Sequence, residues 1–149
     1  QRQMCIRDSD EARVLAAHDG DDPVAKELCL AIGDRLDTDI EAGNRGGYDS
    51  LAVLTGVTNP NELMLAPAHF RPTYIAKDLR GLNESAPEVV HDEGAWRCRD
   101  AKARVDGDRL YVTDVTSVDG LRAACSAMWS AADSGRDVSG VIVPEFRIS

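Results

Sequence analysis

Apolar residues along the chain are grouped in short continuous runs that polar loops separate. The two clearest runs are residues 28–32 and 51–54, and such runs are typical of strands buried in a parallel sheet. Between them, Thr38 and Glu41 have the spacing of a capping box, which predicts a helix that ends at the glycine pair after it. This order of strand, loop, helix and strand predicts one crossover unit of an open α/β sheet.

The next segment combines turn residues with short elements. The pattern predicts three of them, namely a helix over 60–65, a strand over 73–76 and a turn of helix over 78–82. Residues 83–95 are polar and acidic, contain Pro87, and are interpreted as a linker. The α/β part of the chain is therefore expected to span residues 10–82.

Beyond the linker, the pattern becomes that of a small α+β unit. Two strands are predicted over 96–105 and 109–115, joined by a hairpin around Gly107. A final strand is expected over 141–143, after an amphipathic helix over 117–134. The apolar face of that helix comprises Val118, Leu121, Cys125, Met128 and Ala132. We therefore expect residues 96–149 to form an α+β extension.

Residues 1–9 stand apart from the rest of the chain. Their sequence, QRQMCIRDS, agrees at every position with the translation of a transposase-based sequencing adapter. We therefore interpret this segment as an artefact and exclude it from the fold. Cys5 is then foreign to the native protein, and the gene is expected to have been cut at this junction.

Charge and composition narrow the classes of partner. The formal net charge is −9, with 26 acidic and 17 basic residues, which argues against binding to nucleic acids or anionic membranes. The sequence has neither an apolar run of the roughly 20 residues that a membrane span needs nor a secretory signal, so a cytoplasmic location is predicted. The four cysteines form no CxxC pair, which argues against a structural zinc site and favours reduced thiols.

Candidate chemistry is concentrated in the loop that follows the first predicted strand. Gly33 and Asp34 lie there, at the carboxyl end of the strand, where open parallel sheets bind ligands. A carboxylate at this position can bind Mg²⁺ through oxygen, and Asp39 can reach back to orient the loop. Asp37 is expected to face solvent or to act as a cap. Acidic residues in such loops are more often caps or surface charges, so this pattern alone is a weak indication of a metal site.

A longer pattern makes the interpretation specific. The stretch GDRLDTDIEAGNRGGYDSLAVLTGV, residues 33–57, resembles the fourth conserved motif of haloacid dehalogenase (HAD) phosphatases and the strand after it. It is most similar to the NagD-like subclass, in which a GD-[RN]-L-x-TDI pattern precedes a glycine-containing helix and a VLTGV strand. The resemblance implies a Rossmann-type parallel sheet, of which this chain holds the C-terminal part.

The resemblance also implies a reaction and a cofactor. Asp34 matches the magnesium-binding aspartate of the family, with Gly33 and Asp39 in support, and the family hydrolyses phosphate monoesters through an aspartyl-phosphate. The D-x-D-G nucleophile segment, the Ser/Thr motif and the Lys-Pro motif of the family have no match before Leu28. We therefore predict that this chain is a fragment that lacks the nucleophile and is inactive by itself. The implied substrate is a small phosphorylated metabolite, chosen by a cap domain upstream.

The resemblance extends to residues 67–82 and 96–149 in actinobacterial members of the subclass, which are associated with glycerol 3-phosphate hydrolysis. Their C-terminal extension has been likened to part of an acetyltransferase (GNAT) fold. Because the glycine-rich pyrophosphate loop of acetyltransferases has no match here, a packing or oligomerisation module is favoured over an acyl-CoA-binding or regulatory module. A receiver-like domain that uses Thr55 and Lys77 is a more distant alternative.

Several other residues are expected to have structural roles. Trp96 and Trp129 are interpreted as core anchors of the extension, Cys125 as a small core residue, and His18 as a solvated turn residue. A group of basic residues alternates along one predicted strand face, and a solvated face is favoured over an anion site for this group: Arg97, Arg99, Lys102 and Arg104.

Overall fold

The fold is that of a computed structural model, which describes residues 10–17 and 20–149. The predictions for residues 1–9 and for His18 fall outside the described residues. The chain divides into two compact units, which are described separately. The first unit comprises the described residues up to Thr58 together with Ala68–Ala76, and the second comprises Asn59–Pro67 and Lys77–Ser149.

The first unit is built on a three-stranded parallel sheet in the order β1-β2-β3. Its strands are β1 (Leu30–Gly33), β2 (Asp49–Val53) and β3 (Tyr74–Ala76), and its helices are α1 (residues 10–15) and α2 (Glu41–Gly46). The parallel α/β arrangement predicted from the sequence is therefore confirmed. The strands predicted over 51–54 and 73–76 correspond to β2 and β3.

The strand β1 is less buried than its apolar sequence predicts. Leu30 is 36% exposed and Ile32 is 40% exposed, while Leu28 lies before the strand and is 81% exposed. The cause is the strand order, because β2 is the only strand paired with β1 within the described residues. The prediction of a fully buried strand over 28–32 is therefore wrong. By contrast, Leu51 and Val53 in the central strand β2 are buried.

The start of α2 also differs from the prediction. The chain after β1 forms one π-helical segment, Leu36–Ile40, which continues directly into α2. Ile40 is the N-cap residue of α2 and no side chain caps it, so the capping box predicted at Thr38 is wrong. Glu41 is instead buried, and its Oε1 lies 2.9 Å from Nη2 of Arg45 in an ion pair one helical turn apart.

The end of α2 agrees with the prediction. Gly47 follows the helix with φ of 77°, a left-handed conformation that glycine adopts without strain. Its N–H donates to the carbonyl of Asn44, and the N–H of Tyr48 donates to that of Gly43. The helix is therefore closed sharply before β2 begins.

Asn44 connects α2 to two other parts of the first unit. Its Nδ2 donates to the carbonyls of His69 (3.1 Å) and Arg71 (2.9 Å), and its Oδ1 accepts from Oγ of Ser50 (3.0 Å). The same Ser50 hydroxyl oxygen accepts from the N–H of Thr73. A single amide side chain thus fixes the approach to β3 against α2 and β2.

We expect Asn44→Ala to lower the free energy of unfolding by about 2 kcal/mol, because it leaves two carbonyls and one hydroxyl without this partner. Urea unfolding followed by circular dichroism measures the change. Asn83→Ala is the matched control, since Asn83 is exposed and its replacement is expected to be neutral. Equal stabilities of the two variants would contradict a structural role for the Asn44 amide.

The second unit contains a four-stranded antiparallel sheet in the order β4-β5-β6-β7. The strands are β4 (Val89–Asp92), β5 (Ala95–Cys98), β6 (Ala101–Asp106) and β7 (Arg109–Val112), and the helices are α3 (Pro60–Met64) and α4 (Val118–Asp133). The α+β character predicted for this part of the chain is therefore confirmed. The short helix predicted over 60–65, the turn at Gly107 and the helix over 117–134 are confirmed as well.

Three predicted features of this unit need correction. The polar segment 83–95, interpreted as a linker, contains β4, which pairs with β5 through a turn at Glu93 and Gly94. The strand predicted over 96–105 is two strands, because Arg99 adopts φ of 51° and reverses the chain. The strand predicted over 141–143 is a single parallel bridge between Ile142 and Arg109. Turn conformations at non-glycine residues leave little trace in a hydrophobic pattern.

Helix α4 provides the apolar core of the second unit. Leu121, Cys125 and Met128 are fully buried, as the helical spacing predicts, and Cys98 on β5 is fully buried too. Burial raises the pKa of both thiols, to about 11 for Cys98. Cys125 is therefore a core residue and a poor nucleophile, in agreement with the sequence. The described cysteines are free thiols.

The two tryptophans and the basic residues also have structural partners. Trp96 stacks on His91 with ring centroids 5.0 Å apart, while the indole Nε1 of Trp129 donates to the carbonyl of Leu63 at 2.8 Å. Ion pairs link three arginines to neighbouring carboxylates, namely Arg97 to Asp92, Arg99 to Asp119 and Arg104 to Asp106. Both tryptophans are only half-buried, so the prediction that they anchor the core is wrong in this form, and Trp129 instead bonds α4 to α3. The ion pairs agree with a solvated strand face. None of the helices in the described ranges is long and apolar enough to cross a membrane.

Candidate functional site

Asp34 follows directly after β1, at the carboxyl edge of the parallel sheet. Its side chain is half-buried, and its Oδ2 accepts a hydrogen bond from the N–H of Val57 at 3.3 Å. Its main-chain oxygen accepts two more, from the N–H of Thr58 at 3.0 Å and from the hydroxyl of Thr58 at 2.7 Å. The loop after β2 therefore holds both the backbone and the carboxylate of Asp34.

Gly56 makes this arrangement sterically feasible. A Cβ atom at position 56 would lie 1.6 Å from Oδ2 of Asp34 and 2.5 Å from its Cγ, so any other residue would occupy the space of the carboxylate. The glycine of the LTGV sequence is thus required by the position of the Asp34 side chain. The close approach leaves the carboxylate against the backbone of residues 56–58.

Asp39 reaches back to the start of the same loop, as predicted. Its Oδ2 accepts from the N–H of Arg35 at 3.3 Å. A Cβ atom at Gly33 would lie 2.1 Å from Cβ of Asp39, so the glycine permits this fold-back as well. Asp39, which lies in the π-helical segment, therefore helps to fix the backbone directly after Asp34.

Asp37 faces solvent and is bound by its neighbour. Oδ1 and Oδ2 of Asp37 accept from Nε and Nη2 of Arg35, each at 3.2 Å, and both side chains are about half exposed. These hydrogen bonds raise the pKa of the Arg35 guanidinium. The Asp37 carboxylate is therefore paired with the Arg35 guanidinium at the surface, which agrees with its predicted position.

The Asp34 carboxylate has the chemistry of one ligand of a divalent-cation site. Asp34 provides a hard oxygen ligand, and Mg²⁺ commonly uses one or two protein carboxylates, with waters and substrate oxygens completing its octahedral shell. Across the described ranges, no group of three or more His, Cys, Asp or Glu residues is arranged to hold a metal ion. The residues therefore fit a single-carboxylate contribution to a Mg²⁺ site.

The sequence predicted roles for Asp34, Gly33 and Asp39 but assigned none to the loop that contacts Asp34. The contributions of Val57 and Thr58 come largely from backbone N–H groups, which every residue except proline has, so no side-chain pattern predicts them. Gly56 is the residue in the sequence that could have indicated this contact with Asp34. A glycine directly after a buried strand frequently marks a close approach by another group.

Comparisons with known proteins bear on both units. Residues 11–82 match the family model described as HAD-hydrolase-like. Residues 98–141 match a second model, described as a GCN5-related N-acetyltransferase-like domain. Asp34 and the loop that holds it lie within the first match.

Two curated relatives are phosphatases of actinobacteria. The chain is 39% identical over 110 residues to D-glycerol 3-phosphate phosphatase of Mycobacterium tuberculosis. This alignment covers 68% of this chain and 31% of that protein. The chain is also 30% identical over 80 residues to dihydroxyacetone phosphatase of Corynebacterium glutamicum. That alignment covers 54% of this chain and 28% of the relative. The chain therefore spans about a third of the length of these relatives.

Solved structures give the same relationship. This chain superposes with a TM-score of 0.57 on the crystal structure of a glycerol phosphate phosphatase from M. tuberculosis in complex with magnesium. The two sequences are 35% identical, and the superposition covers 76% of this chain and 32% of the phosphatase. The complex of the phosphatase with calcium has a TM-score of 0.58 at 34% identity, again over 76% of this chain and 34% of that one. Residues 11–82 of the chain therefore belong to the HAD-like hydrolases.

Proposed function

We propose that residues 11–82 supply the magnesium-binding corner of a phosphatase that hydrolyses a small phosphate monoester. The observation that carries the proposal is the Asp34 carboxylate, held at a strand end by the N–H of Val57 within a HAD-like hydrolase segment. Gly33 and Asp39 keep the backbone around it in place. A cytoplasmic location, and the absence of nucleic-acid and membrane partners, remain predictions from composition.

The proposed chemistry divides the work between this chain and a nucleophile-bearing segment. An aspartate of that segment attacks the phosphorus as the bond to the ester oxygen breaks, and a second aspartate of that segment gives its proton to the leaving alcohol. The same carboxylate then takes a proton from the water that hydrolyses the aspartyl-phosphate. Bound Mg²⁺ supplies charge neutralisation for the phosphoryl oxygens. Asp34 provides one ligand for the ion. The N–H of Val57 fixes the direction of that carboxylate, and Thr58 fixes its backbone carbonyl. Such outer contacts commonly orient metal ligands.

We further propose glycerol 3-phosphate as the substrate. The two curated relatives are named D-glycerol 3-phosphate phosphatase and dihydroxyacetone phosphatase. The monophosphate esters of glycerol and of dihydroxyacetone each have three carbons and one phosphate. The Asp34 corner would bind the phosphate, which these esters share. Discrimination between them would then depend on residues that contact the rest of the substrate.

Phosphate release from glycerol 3-phosphate with Mg²⁺ tests the proposal. The 149-residue chain alone is expected to show no activity above background, because residues 10–149 carry no D-x-D-G nucleophile motif. A chimera in which residues 10–149 replace the matching segment of the M. tuberculosis D-glycerol 3-phosphate phosphatase is expected to be active. Chelation of Mg²⁺ with EDTA is expected to abolish that activity.

Two outcomes would contradict the proposal. Activity of the chain alone, in a preparation free of other phosphatases, would mean that a nucleophile lies within these residues. A chimera that folds, as judged by circular dichroism, but releases no phosphate from a panel of small monoesters would exclude the catalytic role. A chimera active on other monoesters alone would reject only glycerol 3-phosphate.

The match of residues 98–141 to an acetyltransferase-like domain favours one alternative, an acyl-CoA-binding or regulatory module. Acetyltransferases bind the pyrophosphate at a helix N-terminus, which attracts anions. At the start of α4, however, Asp119 lies in the first turn and pairs with Arg99 (3.2 Å) and Arg122 (2.6 Å). This carboxylate opposes an anion and uses the nearby cations. A folded but inactive chimera would favour this alternative over catalysis.

A further inference from the structure

Residues 141–149, here called the strap, run beside β7 in the second unit. The strap pairs with the outer edge of β7 at Ile142, which forms a parallel bridge with Arg109. The N–H of Ile142 donates to the carbonyl of Asp108 at 2.7 Å, and the N–H of Leu110 donates to the carbonyl of Ile142 at 2.9 Å. The strap therefore begins to add to the sheet as a fifth strand.

The strap is attached a second time near the start of α4. The N–H of Arg147 donates to the carbonyl of Val115 at 2.9 Å, and the N–H of Ser149 donates to that of Thr116 at 3.2 Å. These acceptors lie beyond the end of β7, directly before the N-cap of α4. Two pairs of backbone hydrogen bonds thus hold the strap, one at each end.

The register of the first attachment fixes which residue should pair next. Hydrogen bonds of a parallel ladder recur at every second residue, so residue 144 should donate its N–H to the carbonyl of Leu110 and accept from the N–H of Val112. That residue is Pro144, which has no N–H. The ladder therefore stops after Ile142.

The groups that Pro144 leaves without a strand partner point away from β6. In an antiparallel pair, alternate residues bond to the neighbouring strand, and Thr113 does so through its N–H to the carbonyl of Lys102 at 2.9 Å. Leu110 and Val112 occupy the other set of positions. Their N–H and carbonyl groups consequently lie on the outer edge of the sheet, which the strap covers only at its first step.

The strap turns away from this edge after Ile142. Residues 143–146 line a groove of about 310 Å³ together with residues 59–61 and Met64 of the same unit. The side chain of Ile142 itself is 50% exposed. The first attachment therefore depends on its two backbone hydrogen bonds more than on burial of a side chain.

From this register we propose that Pro144 is a stop that prevents residues 141–149 from adding to the sheet as a regular fifth strand, and that the strap is a releasable cover for the edge of β7. Open strand edges pair readily with other chains, and prolines or irregular segments at an edge limit such pairing. The proposal concerns the second unit alone and is independent of the proposed phosphatase function.

Hydrogen exchange of the 149-residue chain, resolved to single amides by NMR, tests whether the strap is releasable. The N–H of Leu110 is bonded to the strap, whereas that of Thr113 is bonded to β6. We expect Leu110 to exchange at least about tenfold faster than Thr113, because opening of the strap exposes the first amide and leaves the second protected. Equal exchange rates would mean that the strap opens only when the whole unit unfolds, and would overturn the proposal.

Pro144→Ala tests the stop, because it restores the missing N–H. We expect exchange at Leu110 and Val112, each measured relative to Thr113, to become about fivefold slower, the factor that corresponds to one hydrogen bond of typical net strength. Pro67→Ala is the matched control, since Pro67 is exposed and lies outside the strap, and it is expected to leave both ratios unchanged. An unchanged Val112 ratio in Pro144→Ala would contradict the role of Pro144.

A second variant tests the first attachment from the opposite direction. Ile142→Pro removes the N–H that donates to Asp108, and it is expected to accelerate exchange at Leu110 about fivefold relative to Thr113. Faster exchange at Thr113 itself would reveal unfolding of the sheet, in which case the comparison in the unmodified chain and in Pro144→Ala decides. A folded Ile142→Pro variant with an unchanged Leu110 ratio would show that the bridge does not protect this edge, and the proposal would fail.

Discussion

Replacement of Asp34 by asparagine is expected to lower Mg²⁺-dependent phosphate release by the chimera about a thousandfold, because a metal ligand of this kind supplies several kcal/mol of transition-state stabilisation. Asparagine has nearly the same shape, and its amide oxygen can still accept from the N–H of Val57. The fold is therefore retained while the charge that binds Mg²⁺ is lost. Initial rates at saturating substrate, measured over a range of Mg²⁺ concentrations, give the effect.

The loop offers a matched control for this prediction. Asp37→Asn removes the same charge three residues later, from a side chain that is half exposed and bound to Arg35. An exposed ion pair of this kind contributes little, so we expect its rate to stay within about twofold of the unmodified chimera. Equal losses from both substitutions would mean that the net charge of the loop, and not ligation by Asp34, controls the reaction.

The features that the sequence predicted best are those that local chemistry determines. The buried run in β2 and the glycine that ends α2 require only a hydrophobic pattern and a left-handed turn, and both are found. The position of Asp34 after β1 follows from the same reasoning. The fold class could thus be predicted from one crossover unit and the motif within it.

The features that were predicted wrongly depend on neighbours that are distant in sequence. The exposure of Ile32 depends on the order of strands, and no residue near β1 encodes that order. The capping box failed because the side chains of Leu36 and Ile40 are buried and the segment between them coils into the π-helix instead. Tertiary burial here outweighed a local hydrogen-bonding preference, which contributes only about 1 kcal/mol.

The site itself was predicted only in part, for a similar reason. A carboxylate can be recognised in a sequence, whereas the backbone N–H that orients it cannot, and this N–H belongs to Val57, 23 residues from Asp34. Gly56 is the one position at which this orientation becomes visible as a residue type. It therefore allows the orientation of Asp34 to be tested separately from its charge.

Gly56→Ala is expected to lower phosphate release by the chimera about a hundredfold while leaving stability nearly unchanged, since a misplacement of about 1 Å can have this effect on rate. The new methyl group would occupy the position of Oδ2 of Asp34, and the carboxylate end of the side chain can swing away. Gly140→Ala is the control, because a Cβ atom there meets nothing within 4 Å. A Gly56→Ala chimera with normal activity would contradict the need for this carboxylate orientation.

Combining the two substitutions shows whether Gly56 acts through Asp34. If its effect is exerted only on the carboxylate, Gly56→Ala should cause no further loss of rate once Asp34 is asparagine, and the double variant should match Asp34→Asn. Additive losses would instead indicate that residue 56 affects the reacting groups by a route other than Asp34.

Half-maximal activation of the single variant Gly56→Ala should also require more Mg²⁺ than in the unmodified chimera, because a displaced carboxylate binds the ion less well. Such a shift, without a change in the urea midpoint, would separate metal positioning from folding.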